Sequence, residues 1–187
     1  MLRRRSTTDP QEVVLLAAMQ RRIALPQVVT AARGLSHFGE HALGWLVLGV
    51  LAALADRRRR REWLVSAAGV AAAHGTSIAV KRLVRRPRPT DPSVEVLAGT
   101  PSQLSFPSSH AASTTAAAVL YGSLLRRRLY PILVPPMLVS RLVLGVHYPS
   151  DVVMGSVLGA AVGAVVRRQL GSWKSGSWRL GSWRGGR

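Results

Sequence analysis

Three short clusters of charged, histidine and hydroxyl side chains are the most informative feature of this sequence. They lie at Lys81–Pro89, Pro107–His110 and Ser140–Asp151. Together they supply cations, two histidines, paired hydroxyls and a carboxylate. These are the groups needed to hold a phosphate and to cleave its ester through a histidine nucleophile. The three clusters therefore predict a phosphatase.

The cations of the first and third clusters are candidates for binding the nonbridging oxygens of a phosphate. Arginine suits this role because its guanidinium meets two oxygens at once, so Arg88 and Arg141 are predicted ligands, with Lys81 as a point charge. Taken alone, Lys81 and Arg88 are more typical of a basic loop than of a phosphate site. Arg141 is more informative, because it lies inside a long apolar run. An unpaired cation in such a run costs several kcal/mol.

The second cluster predicts the start of a helix. After Pro107, Ser108 or Ser109 would cap that helix, and its free backbone donors and positive dipole end would favour a phosphate there. A serine in this place is often only a cap. His110 would lie one turn into the helix, where it is placed to protonate a departing alkoxide, and the alternative is a structural hydrogen bond.

His147 and Asp151 lie four residues apart, on either side of Pro149. A histidine nucleophile needs one ring nitrogen free to attack phosphorus and the other held by an acceptor, and a carboxylate is a suitable acceptor. The turn that begins at Pro149 lets Asp151 reach back to His147. In isolation Asp151 is more typical of a helix cap beside a surface histidine. The agreement of all three clusters favours the catalytic interpretation.

The composition combines a high apolar content with a large positive charge. The chain has 187 residues, is 48% hydrophobic and carries a formal net charge of +18. A soluble nucleic-acid-binding protein would spread its basic residues over helix faces, whereas here they gather at residues 57–61 and 126–128, between apolar runs. Such basic knots are typical of loops that flank membrane spans. The chain has no cysteine, which excludes disulfides, thiolate nucleophiles and cysteine metal sites.

Five apolar segments rich in Ala, Val, Leu and Gly predict an all-α, integral membrane helical bundle with about five transmembrane helices. Their lengths approach the roughly 17 to 25 residues needed to cross a bilayer. The loop between the second and third segments contains several prolines, so we expect it not to be helical throughout. The segments are Leu35–Ala55, Glu62–Val84, Ser109–Leu125, Leu129–Val146 and Ser150–Val166.

These segments divide the chain into three predicted parts. Residues 1–34 form an N-terminal arm, whose mixture of apolar and charged residues predicts an amphipathic helix at the membrane interface. Residues 35–168 form the transmembrane phosphatase domain. Residues 169–187 form a basic tail with repeated Gly-Ser-Trp units, predicted to be flexible. The alternative for the tail is a surface anchor, with its tryptophans at headgroup depth.

The alternation of spans places all three clusters on one side of the membrane and the basic knots on the other. An excess of Lys and Arg is typical of cytoplasmic loops. We therefore predict a multi-pass protein of the cell membrane with its active site on the extracytoplasmic face. Against this orientation, the arginines of the N-terminal arm would also lie outside.

Several other polar residues are expected to have no catalytic role. His74 lies on nearly the same helix face as Lys81, and we expect it to bond to a neighbouring helix. His37, Glu40 and His41 cluster at the start of the first apolar segment. They lack the spacing and companions of a metal site, so we interpret them as interfacial polar groups.

The order of the clusters resembles the type 2 phosphatidic acid phosphatase superfamily of lipid phosphatases, which also includes soluble bacterial acid phosphatases and vanadium haloperoxidases. The shared pattern is Lys, six residues and Arg-Pro, then Pro-Ser-x-His, then Ser-Arg, five residues, His, three residues and Asp. One departure is Ser109, where the family usually has glycine; its hydroxyl is an added donor whose role is open. The matching residues are Lys81, Arg88, Pro89, Pro107, Ser108, His110, Ser140, Arg141, His147 and Asp151.

The resemblance implies hydrolysis without a metal or other cofactor, through a phosphohistidine at His147. In that scheme Asp151 orients the nucleophile, and His110 acts first as an acid and then as a base. The implied phosphate ligands are Lys81, Arg88, Ser108 and Arg141, with Ser109 beside them.

Three classes of function remain open at this point. The first is a membrane phosphatase of a lipid phosphate: phosphatidic acid, phosphatidylglycerophosphate, or a polyprenyl phosphate, diphosphate or phosphosugar. The second is a site of the soluble acid phosphatase or haloperoxidase kind, which five spans disfavour. The third is a non-catalytic membrane protein that binds lipid through its basic face. The predicted partners are the membrane and a lipid phosphate, without nucleic acid, and the oligomeric state is open.

Overall fold

The computed structural model describes residues 10–181, with side chains as far as Ser172. Within this range the chain is helical and contains no strand; Pro87 and Leu104 form an isolated bridge. This all-α architecture confirms the predicted fold class. The helices are α1 (Pro10–Ile23), α2 (Pro26–Gly39), α3 (Leu43–Ala55), α4 (Arg60–Val84), α5 (Ser109–Leu125), α6 (Tyr130–Val143) and α7 (Pro149–Gly181).

Helix α5 forms the centre of the bundle and is buried along most of its length. Small Ala, Ser and Thr side chains let neighbouring helices approach it closely. A Cβ atom added to Gly159 of α7 would lie only 2.1 Å from the carbonyl oxygen of Ala112. A larger side chain at Gly159 would therefore force α7 away from α5.

Three stretches of the described chain are long and apolar enough, by length and composition, to cross a membrane. They contain the first, second and fifth predicted segments and extend beyond them. Helix α6 is apolar but shorter, at 14 residues. Helix α5 coincides with the third predicted segment but has a mixed Ala, Ser and Thr composition. The count of five spans stays a prediction. The three long stretches are Pro26–Ala55, Arg57–Val84 and Pro149–Ser172.

The N-terminal region forms two helices rather than one. Pro26 begins α2, and the connection from α2 to α3 passes through His41 and Ala42, whose φ angles are +50° and +60°. Helix α1 is anchored to the bundle, since Leu16 is fully buried. The side chain of Gln20 donates hydrogen bonds to two backbone carbonyl oxygens, at 2.7 and 2.9 Å.

Helix α7 continues to Gly181 and so includes the first two Gly-Ser-Trp units of the C-terminal tail. The third unit begins at Gly181 and continues into residues 182–187, which lie outside the described residues, as do residues 1–9. The predicted flexibility of the tail and its alternative role as a surface anchor stay predictions.

The fold positions the three sequence clusters at one end of the bundle. The first lies at the carboxyl end of α4 and in the loop that follows, the second at the start of α5, and the third at the turn from α6 to α7. Residues 57–61 and 126–128, the basic knots, lie at the opposite ends of α4 and α5. Residues 85–108, which connect α4 to α5, are non-helical, as their prolines predict.

Candidate active site

A cavity of about 580 Å³ opens where the three clusters meet. All of the predicted site residues line it except Ser108 and Asp151, which lie behind its wall and are fully buried. A phosphate group would fill only part of this volume. The residues that line it from the predicted set are Lys81, Arg88, Ser109, His110, Arg141 and His147.

His147 and Asp151 form the back of the cavity. The Nδ1 atom of His147 lies 3.5 Å from Oδ2 of Asp151, and Nε2 lies 3.3 Å from Nη1 of Arg88. The Nδ1 to Oδ2 distance is longer than that of a formed hydrogen bond. Asp151 is itself oriented, because Oδ2 accepts a hydrogen bond from the backbone N–H of Tyr148 at 2.8 Å. The carboxylate of Asp151 thus faces Nδ1 of His147, and Nε2 of the same ring lies toward the cations.

The electrostatic surroundings keep His147 neutral. Burial, followed by the charges of Arg88, Arg141 and Lys81, lowers the pKa of His147 well below its ordinary value. Burial also lowers the pKa of Arg88 to about 10, which leaves its guanidinium charged at neutral pH. A neutral imidazole beside fixed cations has the protonation state of a nucleophile that attacks an anion.

Backbone carbonyl groups position two of the three cations. Lys81 donates to the carbonyl oxygen of Ser105 at 2.8 Å, and Nε of Arg88 donates to that of Ser102 at 2.7 Å. Carbonyl groups hold a cation in place without neutralising its charge. Both side chains therefore remain available to an anion in the cavity.

Arg141 is the most deeply buried cation, with 1% of its surface exposed. Its Nη1 atom donates to the hydroxyl of Ser36 at 2.6 Å, while its Nε atom has no hydrogen-bond partner among the described residues. A buried guanidinium with a neutral partner and an unpartnered donor favours binding of an anion.

The two serines at the start of α5 differ in their surroundings. Ser108 is the N-cap residue, whose hydroxyl accepts from the N–H of Ala111 at 3.4 Å, and its own N–H donates to the carbonyl of Asp151 at 2.9 Å. Ser109 lines the cavity, and its hydroxyl is hydrogen bonded to that of Ser77 at 2.7 Å. The predicted ligand Ser108 thus lies behind the cavity wall, and Ser109 brings its hydroxyl to the cavity.

His110 is held by α2. Its Nε2 atom lies 2.9 Å from the carbonyl oxygen of Ser36. Because a carbonyl oxygen only accepts, Nε2 carries the proton in the neutral ring and Nδ1 carries the lone pair. His110 in this state is arranged as a base, and protonation of Nδ1 would make it an acid.

Four functional neighbours were missed by the sequence interpretation. Ser36 contacts both Arg141 and His110, yet a single serine in an amphipathic helix carries no signal. Arg33, at the cavity rim, was interpreted only as part of the interfacial arm. Arg86 and Glu12 form an ion pair next to Asp151. Arg86 is within the basic run of the first cluster, which was the available clue.

Four residues interpreted as peripheral line the cavity. The rings of His41 and His74 are 6.3 Å apart, although they come from different helical segments. The expected bond from His74 to a neighbouring helix is not seen at Nδ1, which has no hydrogen-bond partner among the described residues. The four residues are His37, Glu40, His41 and His74.

Comparison with known proteins gives a family match, two similar relatives and one similar solved structure. Residues 62–174 match the family model described as the PAP2 superfamily. Decaprenylphosphoryl-5-phosphoribose phosphatase of Mycobacterium tuberculosis (strain H37Rv) is 56% identical over 156 residues, which cover 83% of this chain and 88% of the relative. The protein of the same description from Mycolicibacterium smegmatis is 52% identical over 145 residues, covering 78% and 81% of the two chains.

The similar solved structure supports the fold alone. The crystal structure of a transmembrane PAP2 type phosphatidylglycerolphosphate phosphatase from Bacillus subtilis superposes with a TM-score of 0.70 at 19% sequence identity. The match covers 88% of each chain. The helical arrangement is therefore that of a known membrane phosphatase.

Proposed function

Since the chain belongs to the PAP2 superfamily and is a membrane phosphatase, we propose that it hydrolyses the phosphate monoester of a polyprenyl-linked sugar phosphate through a phosphohistidine on His147. The observation that carries this proposal is the meeting of His147 with Arg88, Arg141 and Lys81 around one cavity. That arrangement supplies a nucleophile and the charges that its anionic substrate requires.

The first chemical step forms a bond between Nε2 of His147 and phosphorus and breaks the bond from phosphorus to the sugar oxygen. The departing oxygen takes a proton from His110, and Asp151 stabilises the positive charge that develops on the ring of His147. In the second step His110 takes a proton from water, whose oxygen attacks phosphorus and releases inorganic phosphate. The ring of His147 is then free again.

The cations stabilise the charge on the nonbridging oxygens in both steps. Arg88 and Arg141 offer planar forks that match two oxygens, and Lys81 adds a point charge. The hydroxyl of Ser109 and the first N–H groups of α5 add neutral donors. Loss of one of the two arginine forks is expected to lower kcat by about 10²–10³-fold, the range typical of a lost donor to the transition-state charge.

The choice of substrate rests on the relatives and on the cavity. The relatives are named for a decaprenylphosphoryl phosphoribose, a lipid that joins an apolar chain to a phosphorylated pentose through a second phosphate. The cavity has room beyond the catalytic phosphate, and its wall includes further cations, Arg33 and Arg82, and apolar groups, Ile78 and Leu97. This mixture suits a substrate with a second anionic group and a lipid tail.

We assign the active site to the extracytoplasmic side of the cell membrane. The basic knots at residues 57–61 and 126–128 lie at the end away from the cavity, and an excess of arginine is typical of the cytoplasmic side. A cysteine introduced at exposed Arg127 of the cysteine-free chain, tested with an impermeant thiol reagent on intact cells, checks this orientation. Labelling of that cysteine in intact cells would contradict it.

The enzymatic test measures phosphate release by detergent-purified protein from a panel of lipid phosphates, in the presence of chelator. The panel contains a polyprenylphosphoryl-5-phosphoribose, phosphatidic acid, phosphatidylglycerophosphate and a polyprenyl diphosphate. We expect the highest kcat/KM for the phosphoribose lipid, and no release by His147→Ala prepared identically. Equal release from every lipid would contradict the substrate assignment.

Equal release by wild type and His147→Ala would contradict the phosphohistidine mechanism. No release from any lipid would contradict the phosphatase function and favour a lipid-binding protein. An alkaline quench with substrate labelled in the transferred phosphate provides the direct check of the mechanism. Because phosphohistidine is stable in base and labile in acid, label should stay on the protein after the alkaline quench and be released by later acid treatment.

A further inference from the structure

Arg86 holds the carboxylate of Asp151. Arg86 lies in the first sequence cluster but is not one of the residues that match the family pattern. Nη1 of Arg86 donates to Oδ1 of Asp151 at 2.9 Å. Because Oδ1 is occupied in this way, Oδ2 is the oxygen that faces Nδ1 of His147. Asp151 is fully buried and the side chain of Arg86 is 11% exposed. Solvent therefore screens this ion pair weakly.

Helix α1 supplies the partner that holds Arg86. Oε2 of Glu12 accepts from Nη2 of Arg86, and Oε1 accepts from the backbone N–H of Ser150 at 2.9 Å. Arg86 also donates to the hydroxyl of Ser150 at 2.6 Å and stacks 4.2 Å from the ring centroid of Tyr148. Glu12 and Arg86 thus contact both the side chains and the backbone of the turn that carries His147 and Asp151.

Both members of the pair are ionised at neutral pH. Burial alone would raise the pKa of Glu12, but the hydrogen bonds from Arg86 and Ser150 outweigh it and lower that pKa. Burial likewise acts to lower the pKa of Arg86, and the two carboxylates outweigh it and raise that pKa. One guanidinium is therefore shared by two carboxylates, which leaves Asp151 with negative charge to direct at His147.

We propose that Glu12 and Arg86 are positioning residues, which orient Asp151 and hence the nucleophile His147, and that α1 is part of the catalytic unit. This inference rests on the proposed function, because it assigns His147 as the nucleophile. It predicts that the pair affects the chemical step and leaves substrate binding largely unchanged, since neither side chain lines the cavity.

The test uses Glu12→Gln, Arg86→Gln, Arg86→Lys and the double variant Glu12→Gln/Arg86→Gln in the full-length protein. The matched control is Asp56→Asn, which breaks a carboxylate–arginine pair of 2.7 Å with Arg59. That pair lies between α3 and α4, at the end of the bundle away from the cavity. The assay measures kcat and KM on whichever lipid phosphate the wild type cleaves fastest, together with the melting temperature in detergent.

We expect Arg86→Gln to lower kcat about 10- to 100-fold, the range typical of residues that orient a catalytic ligand. Glu12→Gln should lower kcat less, by about 3- to 10-fold, because the glutamine oxygen still accepts from Ser150. KM should stay within about twofold in both variants, and Arg86→Lys should restore part of kcat because it keeps the charge. The double variant should be no worse than Arg86→Gln alone, since coupled residues are not additive.

The pH profile separates a positioning role from a merely structural one. The acid limb of kcat/KM reports the pKa of His147. Removing the positive charge of Arg86 should move that limb to higher pH, and removing the negative charge of Glu12 should move it to lower pH. A loss of packing alone would not move the acid limb in opposite directions in the Arg86 and Glu12 variants. The ionisable groups facing His147 from every packed element, unchanged in both variants, are Lys81 of α4, Arg88 of the loop, His110 of α5, Arg141 of α6 and Asp151 of α7.

The outcomes distinguish this inference from the proposed function. If Glu12→Gln and Arg86→Gln keep kcat and the pH profile of Asp56→Asn while His147→Ala is inactive, the positioning role is wrong and the proposed function stands. If His147→Ala retains wild-type activity, both are wrong. If Arg86→Gln does not fold, Glu12→Gln and Arg86→Lys decide the question, and unchanged kcat in both overturns the inference.

Discussion

Both ends of the helical bundle are rich in arginine, but they differ in how deeply their basic side chains are buried and in what those side chains contact. At the cavity end, Arg141 and Lys81 are 1% and 7% exposed, and their donors meet a hydroxyl or backbone carbonyls. At the opposite end, residues 126–128 and most of residues 57–61 project into solvent. Both ends are therefore basic, and burial with directed donors distinguishes the end that is proposed to bind an anion.

The physical reason is the cost of removing a cation from water. Exposed arginines keep their hydration and contribute little beyond a diffuse potential. A buried cation loses that hydration, and neutral carbonyl and hydroxyl partners restore only part of it. The cavity end thus carries an energetic deficit that a phosphate would offset. The opposite end has no such deficit, because its arginines stay in contact with water.

The largest difference between the two ends is expected at the proposed nucleophile. We expect His147→Ala to lower phosphate release by about a thousandfold or more, because no other group replaces a covalent nucleophile. The control is Arg127→Ala at the other end, which should stay within about twofold. Initial rates on the preferred lipid phosphate, with folding checked by melting temperature, provide the measurement. Activity in His147→Ala within tenfold of wild type would contradict the assignment.

The substitution Arg141→Met tests the difference between the two ends of the bundle through both activity and melting temperature. It should lower kcat/KM by about 10²–10³-fold, since it removes a donor that stabilises the transition state. The same change should raise the melting temperature of the substrate-free protein by about 2–4 °C, because an incompletely paired buried charge is replaced by a thioether of similar length. Arg127→Met should change neither quantity. A lowered melting temperature with retained activity would show that Arg141 is structural.

The acid limb of the pH profile of kcat/KM shows how far the buried cations lower the pKa of His147. Burial, and then Arg88, lowers the pKa of His147 below its ordinary 6.5, so the nucleophile should stay neutral and active below that pH. Arg88→Gln should move the acid limb of kcat/KM toward higher pH, whereas Arg127→Gln should leave it in place. Ionisation of the substrate is common to both variants. An unmoved limb in Arg88→Gln would contradict the assignment.

The same pKa shift has a consequence for stability with a definite sign. Between the two pKa values the unfolded chain binds a proton that folded His147 does not bind. The contribution of His147 to the free energy of unfolding therefore decreases as pH falls below about 6.5. Chemical denaturation in detergent between pH 7 and pH 5 measures it. His147→Gln should show a weaker dependence on pH than wild type over this range.

The smallest effect is expected at the start of α5. Ser109→Gly removes the hydroxyl that bonds to Ser77 and lines the cavity. We expect kcat/KM to fall about 3- to 10-fold, because a neutral donor is lost while the cations remain. Ser123→Gly, at the far end of the same helix, is the control for inserting a glycine. If both variants keep wild-type kcat/KM, the hydroxyl of Ser109 has no part in the reaction.

Much of the fold was predictable because it depends on local patterns. Apolar runs bounded by charge marked the positions of α3, α4, α5, α6 and α7, and the prolines of residues 85–108 marked the non-helical loop. The division of the N-terminal arm into two helices was not predicted, although Pro26 is a typical first residue of a helix. The full length of α7 also exceeded the prediction, since its apolar pattern ends before the helix does.

The chemical inventory was determined by the sequence alone. The four-residue spacing of His147 and Asp151 across a proline turn, and an arginine inside an apolar run, are local features with few physical interpretations. Tertiary structure decided which other side chains contact the residues of these clusters. Ser36 reaches His110 across 74 positions, and Glu12 reaches Arg86 across the same separation. Such contacts depend on how helices pack against one another, and no local pattern records the face that a neighbouring helix will cover.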